Sequence, residues 1–199
     1  MVRKHESTKI RREQIVNAAR EVIVKYGSEH VTVKKIAKEV GISEAAIYRH
    51  FKSKRDVLSL LIDDIENTLL SEIKSSPVDG PYTEKTLDIV IMDHISHVIR
   101  RKGVSFQVIA EIISLGDKKL NKKVYEVINS YTERIRELLG EGVKAGVIRR
   151  DIDIEAATII FFGMTQGLFN TWALSQYSFN IEEKYTAAWL ILRDALTRR

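Results

Sequence analysis

Residues 34–54 read KKIAKEVGISEAAIYRHFKSK. Two short apolar patterns flank one glycine, and the run closes on an aromatic hydroxyl among cations. Ile36, Ala37 and Val40 fall on one face of a helix predicted over about Val33–Val40, and Thr32 is suited to cap its start through its side-chain oxygen. Gly41 predicts the stop, because a left-handed residue costs glycine little. Ile42 follows as an apolar plug, Ser43 is placed to cap the next helix, and Glu44 sits favourably in its first turn. Ile47 and Phe51 then point back to the interior. Ala37 is small enough for two helices to cross closely. Together these features predict a helix-turn-helix.

The remaining positions of the second helix face outward: Ala45, Ala46, Tyr48, Arg49 and, at its edge, His50. Such a helix fits the major groove of B-DNA. Tyr48 and His50 can hydrogen-bond phosphate oxygens. Lys52 and Lys54 stand where a fourth helix begins, and there the backbone N–H groups also favour an anion. The phosphate backbone is the one ligand these groups share, and Arg49 can reach guanine as well.

Charge points the same way. Residues 1–55 hold 14 Lys/Arg and 6 Asp/Glu, a balance of +8, whereas residues 56–199 hold 18 and 21, a balance of −3. All of the positive excess of the 199-residue chain therefore lies in its first 55 residues, which suggests a head that meets a polyanion and a body that does not. There is no cysteine, so disulfides, thiolate chemistry and zinc-finger ligand sets are excluded. The longest apolar stretch, near Ala156–Met164, is too short to span a bilayer, and MVRKHESTKIRRE at the start has no apolar run behind it. A cytoplasmic protein is the simplest expectation.

Periodicity is helical almost throughout. Ile15, Ala18, Ala19, Val22 and Tyr26 share one face of a first helix that Gly27 ends. Further helices are predicted over about 53–75, 82–101, 104–115, 118–144, 153–176 and 181–197. The break SSPVDGPY at 75–82 carries both prolines, Pro77 and Pro81. The expected class is all-α, with about nine helices.

On these residues the chain resembles the tetracycline-repressor (TetR) family of bacterial and archaeal regulators. The matching runs are REQIVNAAREVIVKYG and VTVKKIAKEVGISEAAIYRHFKSKRDVL, with Thr32, Ile36, Ala37, Gly41, Ser43, Tyr48, Phe51, Lys54 and Leu58 in family positions. The resemblance implies a helix-turn-helix DNA-binding domain over 9–69 and a helical ligand-binding and dimerisation domain over 70–199. It implies phosphate contacts from Thr32, Tyr48, His50 and Lys54 and base reading by Glu44, Ala45 and Arg49. The whole DNA-binding set is Thr32, Ser43, Glu44, Ala45, Ala46, Tyr48, Arg49, His50, Lys52 and Lys54. Ala45 stands where glycine is common and Ala46 where threonine is common. Readout therefore rests on Arg49, thymine methyl contacts and DNA shape.

The body has weaker signals. IEAATIIFFGMTQGLFNTWAL, within helix 153–176, is apolar nearly all round, so it needs cover on two sides. Gly163 and Gly167, with Ala156 two turns earlier, offer a smooth stripe for close helix approach. Tyr185, Ala188, Trp189, Leu192, Ala195 and Leu196 are the apolar positions of helix 181–197. The resemblance implies that these two helices form the homodimer interface. It also implies a pocket, for which Met92, Phe106, Ile109, Tyr125, Ile128, Phe162, Phe169 and Trp172 are candidate lining. Their character suits a hydrophobic small-molecule effector. Asp93 and His97 share a helix face with His94 nearby, but two side chains make no metal site; neither metal nor cofactor is expected. The acidic group Asp63, Asp64 and Glu66 reads as a solvated face of the fourth helix. No nucleophile–base pair or phosphate-binding glycine loop points to an enzyme. The expected function is a ligand-responsive repressor released from a palindromic operator; the alternative is a non-specific architectural DNA binder.

Overall fold

Helices begin and end where the sequence supplies caps. The computed structural model describes residues 8–27, 30–49, 51–74 and 81–197, and among these it contains nine helices and no strand. They are α1 (Thr8–Tyr26), α2 (Val33–Val40), α3 (Glu44–Tyr48), α4 (Lys54–Lys74), α5 (Glu84–Arg100), α6 (Val104–Leu115), α7 (Lys118–Lys144), α8 (Ile154–Leu174) and α9 (Ile181–Thr197). His50, the basic start at 1–7 and most of the proline break, 75–80, lie outside the described residues.

The helix-turn-helix follows its residues one by one. The Thr32 hydroxyl accepts from Lys35 N–H at 3.2 Å. Gly41 takes φ 74°, which lets Ile42 N–H reach back to the Ala37 carbonyl at 3.0 Å. Ser43 then accepts from Ala46 N–H at 3.2 Å. With five residues, α3 is too short to stand by its own hydrogen bonds. Ile47 anchors it, fully buried among the apolar side chains of the head, a burial that contributes about 1.5–3 kcal/mol.

The chain divides into two compact units. The first holds residues 1–65 together with 107–124, so the end of α6 and the start of α7 belong with α1–α3. Its core includes Ile15, Ala19, Val22, Ile36, Ile47 and Leu58. Tyr26, expected on the inner face of α1, is instead exposed, and the Lys35 ammonium lies 4.6 Å from its ring centre. It is the last residue of the helix, beyond the reach of the core.

The second unit holds residues 66–106 and 125–199. Here α9 packs on α8 and α5. The Thr165 and Tyr185 hydroxyls meet at 2.8 Å, and Asp88 accepts from Trp189 Nε1 at 2.8 Å and from Arg193 at 2.6 Å. At the corner before α6, Gly103 has φ 62°, and a Cβ there would stand 2.6 Å from Phe169 Cδ1. Only a residue without a side chain lets the backbone pass this ring.

Candidate DNA-binding surface

With Ile47 turned inward, helical geometry brings Ala45, Tyr48 and Arg49 to one outward face. All three are exposed, Tyr48 at 51%. Thr32, Ser43, Glu44 and Lys52 are exposed as well, and Ala46 is half-buried. Two of these hydroxyls already have helix duties: Thr32 caps α2 and Ser43 caps α3. Each retains acceptor and donor capacity for a second partner.

Lys54 differs from the others. Its ammonium lies 2.9 Å from Glu111 on α6, and that carboxylate is only 11% exposed. The neighbouring Arg55 pairs with Asp117, whose Oδ1 also accepts from Lys119 and Leu120 N–H at 3.0 and 3.1 Å and so caps α7. The Leu120 N–H, followed by the Arg55 charge, holds the Asp117 carboxyl below its ordinary range. One helical turn or two further on, Lys123 reaches Asp63 at 2.6 Å and the Ser59 carbonyl and hydroxyl at 2.9 Å each. Asp64 pairs with Arg20. Asp63 and Asp64 are thus engaged rather than merely solvated. Sequence reading could not pair Lys54 with a residue 57 positions away, because no local pattern encodes such a contact.

The second unit gathers aromatic side chains. Phe106 stacks on Phe169 with centres 5.4 Å apart, and Phe162 stands 6.4 Å from Phe106 and 6.1 Å from Tyr131. Trp172 meets Phe169 edge-on at 6.2 Å. Of the proposed lining set, Phe106, Phe162, Phe169 and Trp172 therefore come together. Met92 and Ile128 are half-buried, and Ile109 is buried but belongs to the first unit. Tyr125 is 68% exposed and joins no interior cluster. The His94 ring lies in this interior, its Nε2 3.0 Å from the Tyr131 hydroxyl. His97 turns its Nδ1 to the Asp93 carbonyl at 2.8 Å, within its own helix. Gln166, which sequence reading passed over, donates to the Phe106 carbonyl at 3.1 Å. The available signal was an amide inside an otherwise apolar helix.

The profile of the bacterial regulatory proteins of the tetR family matches residues 15–61, and the profile of the YsiA-like protein C-terminal region matches residues 57–194. The chain belongs to the TetR family. It is a helix-turn-helix transcriptional regulator of that family, one of regulators rather than of enzymes. Among its TetR-family relatives is the fatty acid metabolism regulator protein of Bacillus subtilis, 26% identical over 168 residues, 84% of this chain and 86% of that protein. The nucleoid occlusion factor SlmA of Aliivibrio fischeri is 25% identical over 92% of this chain and 93% of its own. Among solved structures, the fatty acid degradation regulator FadR from Bacillus halodurans superimposes with a TM-score of 0.75 at 25% identity, covering 95% and 96% of the two chains. No helix among the described residues is long and apolar enough to cross a membrane.

Proposed function

We propose that the protein is a repressor that binds a near-palindromic operator as a homodimer and leaves it when a small apolar effector enters the second unit. The outward face of α3 carries this reading: Tyr48 and Arg49 stand exposed while Ile47 fixes the helix from behind. In it, Arg49 and the methyl of Ala45 meet base edges beside Glu44. Thr32, Ser43, Tyr48, His50, Lys52 and Lys54 hold phosphates, with Ala46 packed close to the backbone. The DNA-binding domain spans 9–69 and the effector-binding and dimerisation domain 70–199.

Two helix-turn-helix heads must sit about one DNA turn apart, roughly 34–36 Å, to read two half-sites. The surface of α8 and α9 supports the second copy this requires. Ile159, Ile160, Leu190 and Ile191 are exposed, and an added Cβ at Gly163 or Gly167 would meet nothing. The dimer residues on α9 are revised accordingly. Tyr185, Trp189, Leu192 and Leu196 are buried inside the protomer, leaving Ala187, Leu190, Ile191 and Ala195 to face the partner. The effector class draws on the aromatic interior and on two relatives whose names mark them as regulators of fatty acid metabolism and degradation. The effector must bind the DNA-free state better, by a coupling of about 1–3 kcal/mol. Its binding shifts α4 and changes the separation of the two heads. The protein works in the cytoplasm and turns over no substrate.

The test begins with selection of bound duplexes from random DNA, followed by titration at fixed salt. An inverted repeat should emerge, preferred at least about a thousandfold over unrelated duplex. Similar affinity for every duplex would discard the reading. A second reading, DNA binding without effector control, draws on the nucleoid occlusion factor among the relatives. It predicts that decanoyl and longer acyl compounds leave DNA affinity unchanged.

A further inference from the structure

Polar groups of the second unit are for the most part closed on one another, as Thr165 on Tyr185 and Trp189 on Asp88. Two atoms beside the aromatic cluster are not. His94 on α5 is 1% exposed, and its Nδ1 has no partner among the described residues. Gln166 on α8 spends its amide N–H on the Phe106 carbonyl, and its buried Oε1 has no partner either. Buried Nε atoms of Arg134 and Arg193 share this condition, but each guanidinium is paired with a carboxylate through its outer nitrogens. His94 and Gln166 are paired through one nitrogen each, to the Tyr131 hydroxyl and the Phe106 carbonyl, and neither has a charged partner.

Both atoms adjoin one connected group. The His94 ring lies 5.6 Å from Tyr131, Tyr131 lies 6.1 Å from Phe162, and Gln166 follows Phe162 by one turn on the same face of α8. A buried polar atom left unpaired forfeits its hydration with nothing in return. We propose that His94 and Gln166 form the polar anchor of the effector site, recognising an apolar compound through a neutral group that both accepts and donates a hydrogen bond, as an acyl amide does. This rests on the effector-binding reading above and narrows its ligand class.

The chemistry of the two atoms sets that class. We assign the tautomer in which the Tyr131 hydroxyl, a better proton donor than a neutral imidazole, donates to Nε2 and the ring proton sits on Nδ1. His94 then asks for an acceptor and Gln166 Oε1 for a donor. Burial, and after it the nearby His97, pushes the His94 pKa down to about 4, so the ring offers no positive charge near neutral pH. A carboxylate would meet the Gln166 carbonyl oxygen with no cation from this pair to offset it.

The experiment is calorimetric titration of the full chain with decanamide, methyl decanoate and decanoate. Decanamide should bind at least about tenfold tighter than methyl decanoate, which only accepts, and decanoate should bind most weakly. In Gln166→Leu the amide-to-ester ratio should fall toward about 1 while ester affinity holds; in His94→Phe amide and ester should weaken together, each by about tenfold, because both carbonyls lose their donor. The Gln166 change fills an apolar helix with an apolar side chain, and the wild-type ratio needs no variant at all. An absent preference, a preference that survives Gln166→Leu, an ester affinity untouched by His94→Phe, or tightest binding of decanoate would overturn the anchor. Equal binding of all three leaves the effector reading standing; binding of none removes it together with the anchor.

Discussion

The outer faces of α3 and of α8 are opposites. On α3 the exposed groups are a phenol and a guanidinium, Tyr48 and Arg49; on α8 they are Ile159, Ile160 and two glycines. Water solvates the first set well and the second poorly, so the same exposure has different meanings. A charged face can remain bare until a polyanion arrives, and its affinity then depends on salt. A contiguous apolar face favours cover at all times. In the function proposed above, the head suits a partner that comes and goes and the body one that stays.

The largest effect expected from this contrast comes from reversing the polarity of the apolar face. Ile160→Asp combined with Ile191→Asp places charges in the proposed dimer interface, at a cost of about 3–5 kcal/mol of association. Sedimentation should show monomers, and operator affinity should fall with dimer content; an intact dimer would mean that another surface holds the copies together. On the polar face, Arg49→Ala should lose about 1–3 kcal/mol of discrimination at one base position and leave non-specific affinity nearly unchanged. A uniform loss across sequences would instead make Arg49 a phosphate ligand.

The interior gives an intermediate case. With a folded-state pKa near 4 for His94 and an ordinary value near 6.5 when unfolded, the unfolded chain takes up a proton between these limits that the folded chain refuses. Stability should therefore fall as pH drops from 7 to 5, by about 2 kcal/mol from this residue. Urea unfolding of wild type and His94→Phe at both pH values checks it: the variant should lose this component. The smallest effects belong to Lys54. Lys54→Ala should weaken binding to every sequence and flatten the salt dependence by about one unit, whereas Glu111→Gln should strengthen binding slightly, by less than about 1 kcal/mol, because it removes the carboxylate that competes with phosphate.

Legibility followed the range of the signals. The head could be read residue by residue because caps and turn glycines act within four positions: Thr32 sets the start of α2, and Gly41 and Ser43 set the α2–α3 turn, as their chemistry dictates. The limits of α6 and α7 were equally local, between Gly103, Gly116 and the glycines after Gly140. What escaped was settled by contacts far apart in sequence. Helix α9 is apolar on more than one stripe, and nothing local says that Trp189 turns inward while Ile191 turns outward. The Lys54–Glu111 pair and the Gln166–Phe106 bond were hidden for the same reason. Tyr125 had an aromatic side chain at a plausible helical position, but α7 presents that position outward.

The inclusion of residues 107–124 in the first unit matters to anyone who would transplant this head onto another receptor. A graft cut after residue 69 would strip Glu111 from Lys54, Asp117 from Arg55 and Lys123 from Asp63. The donor segment that swaps cleanly is therefore discontinuous, and chimeras retaining the α6–α7 junction should melt higher than those spliced at the end of α4.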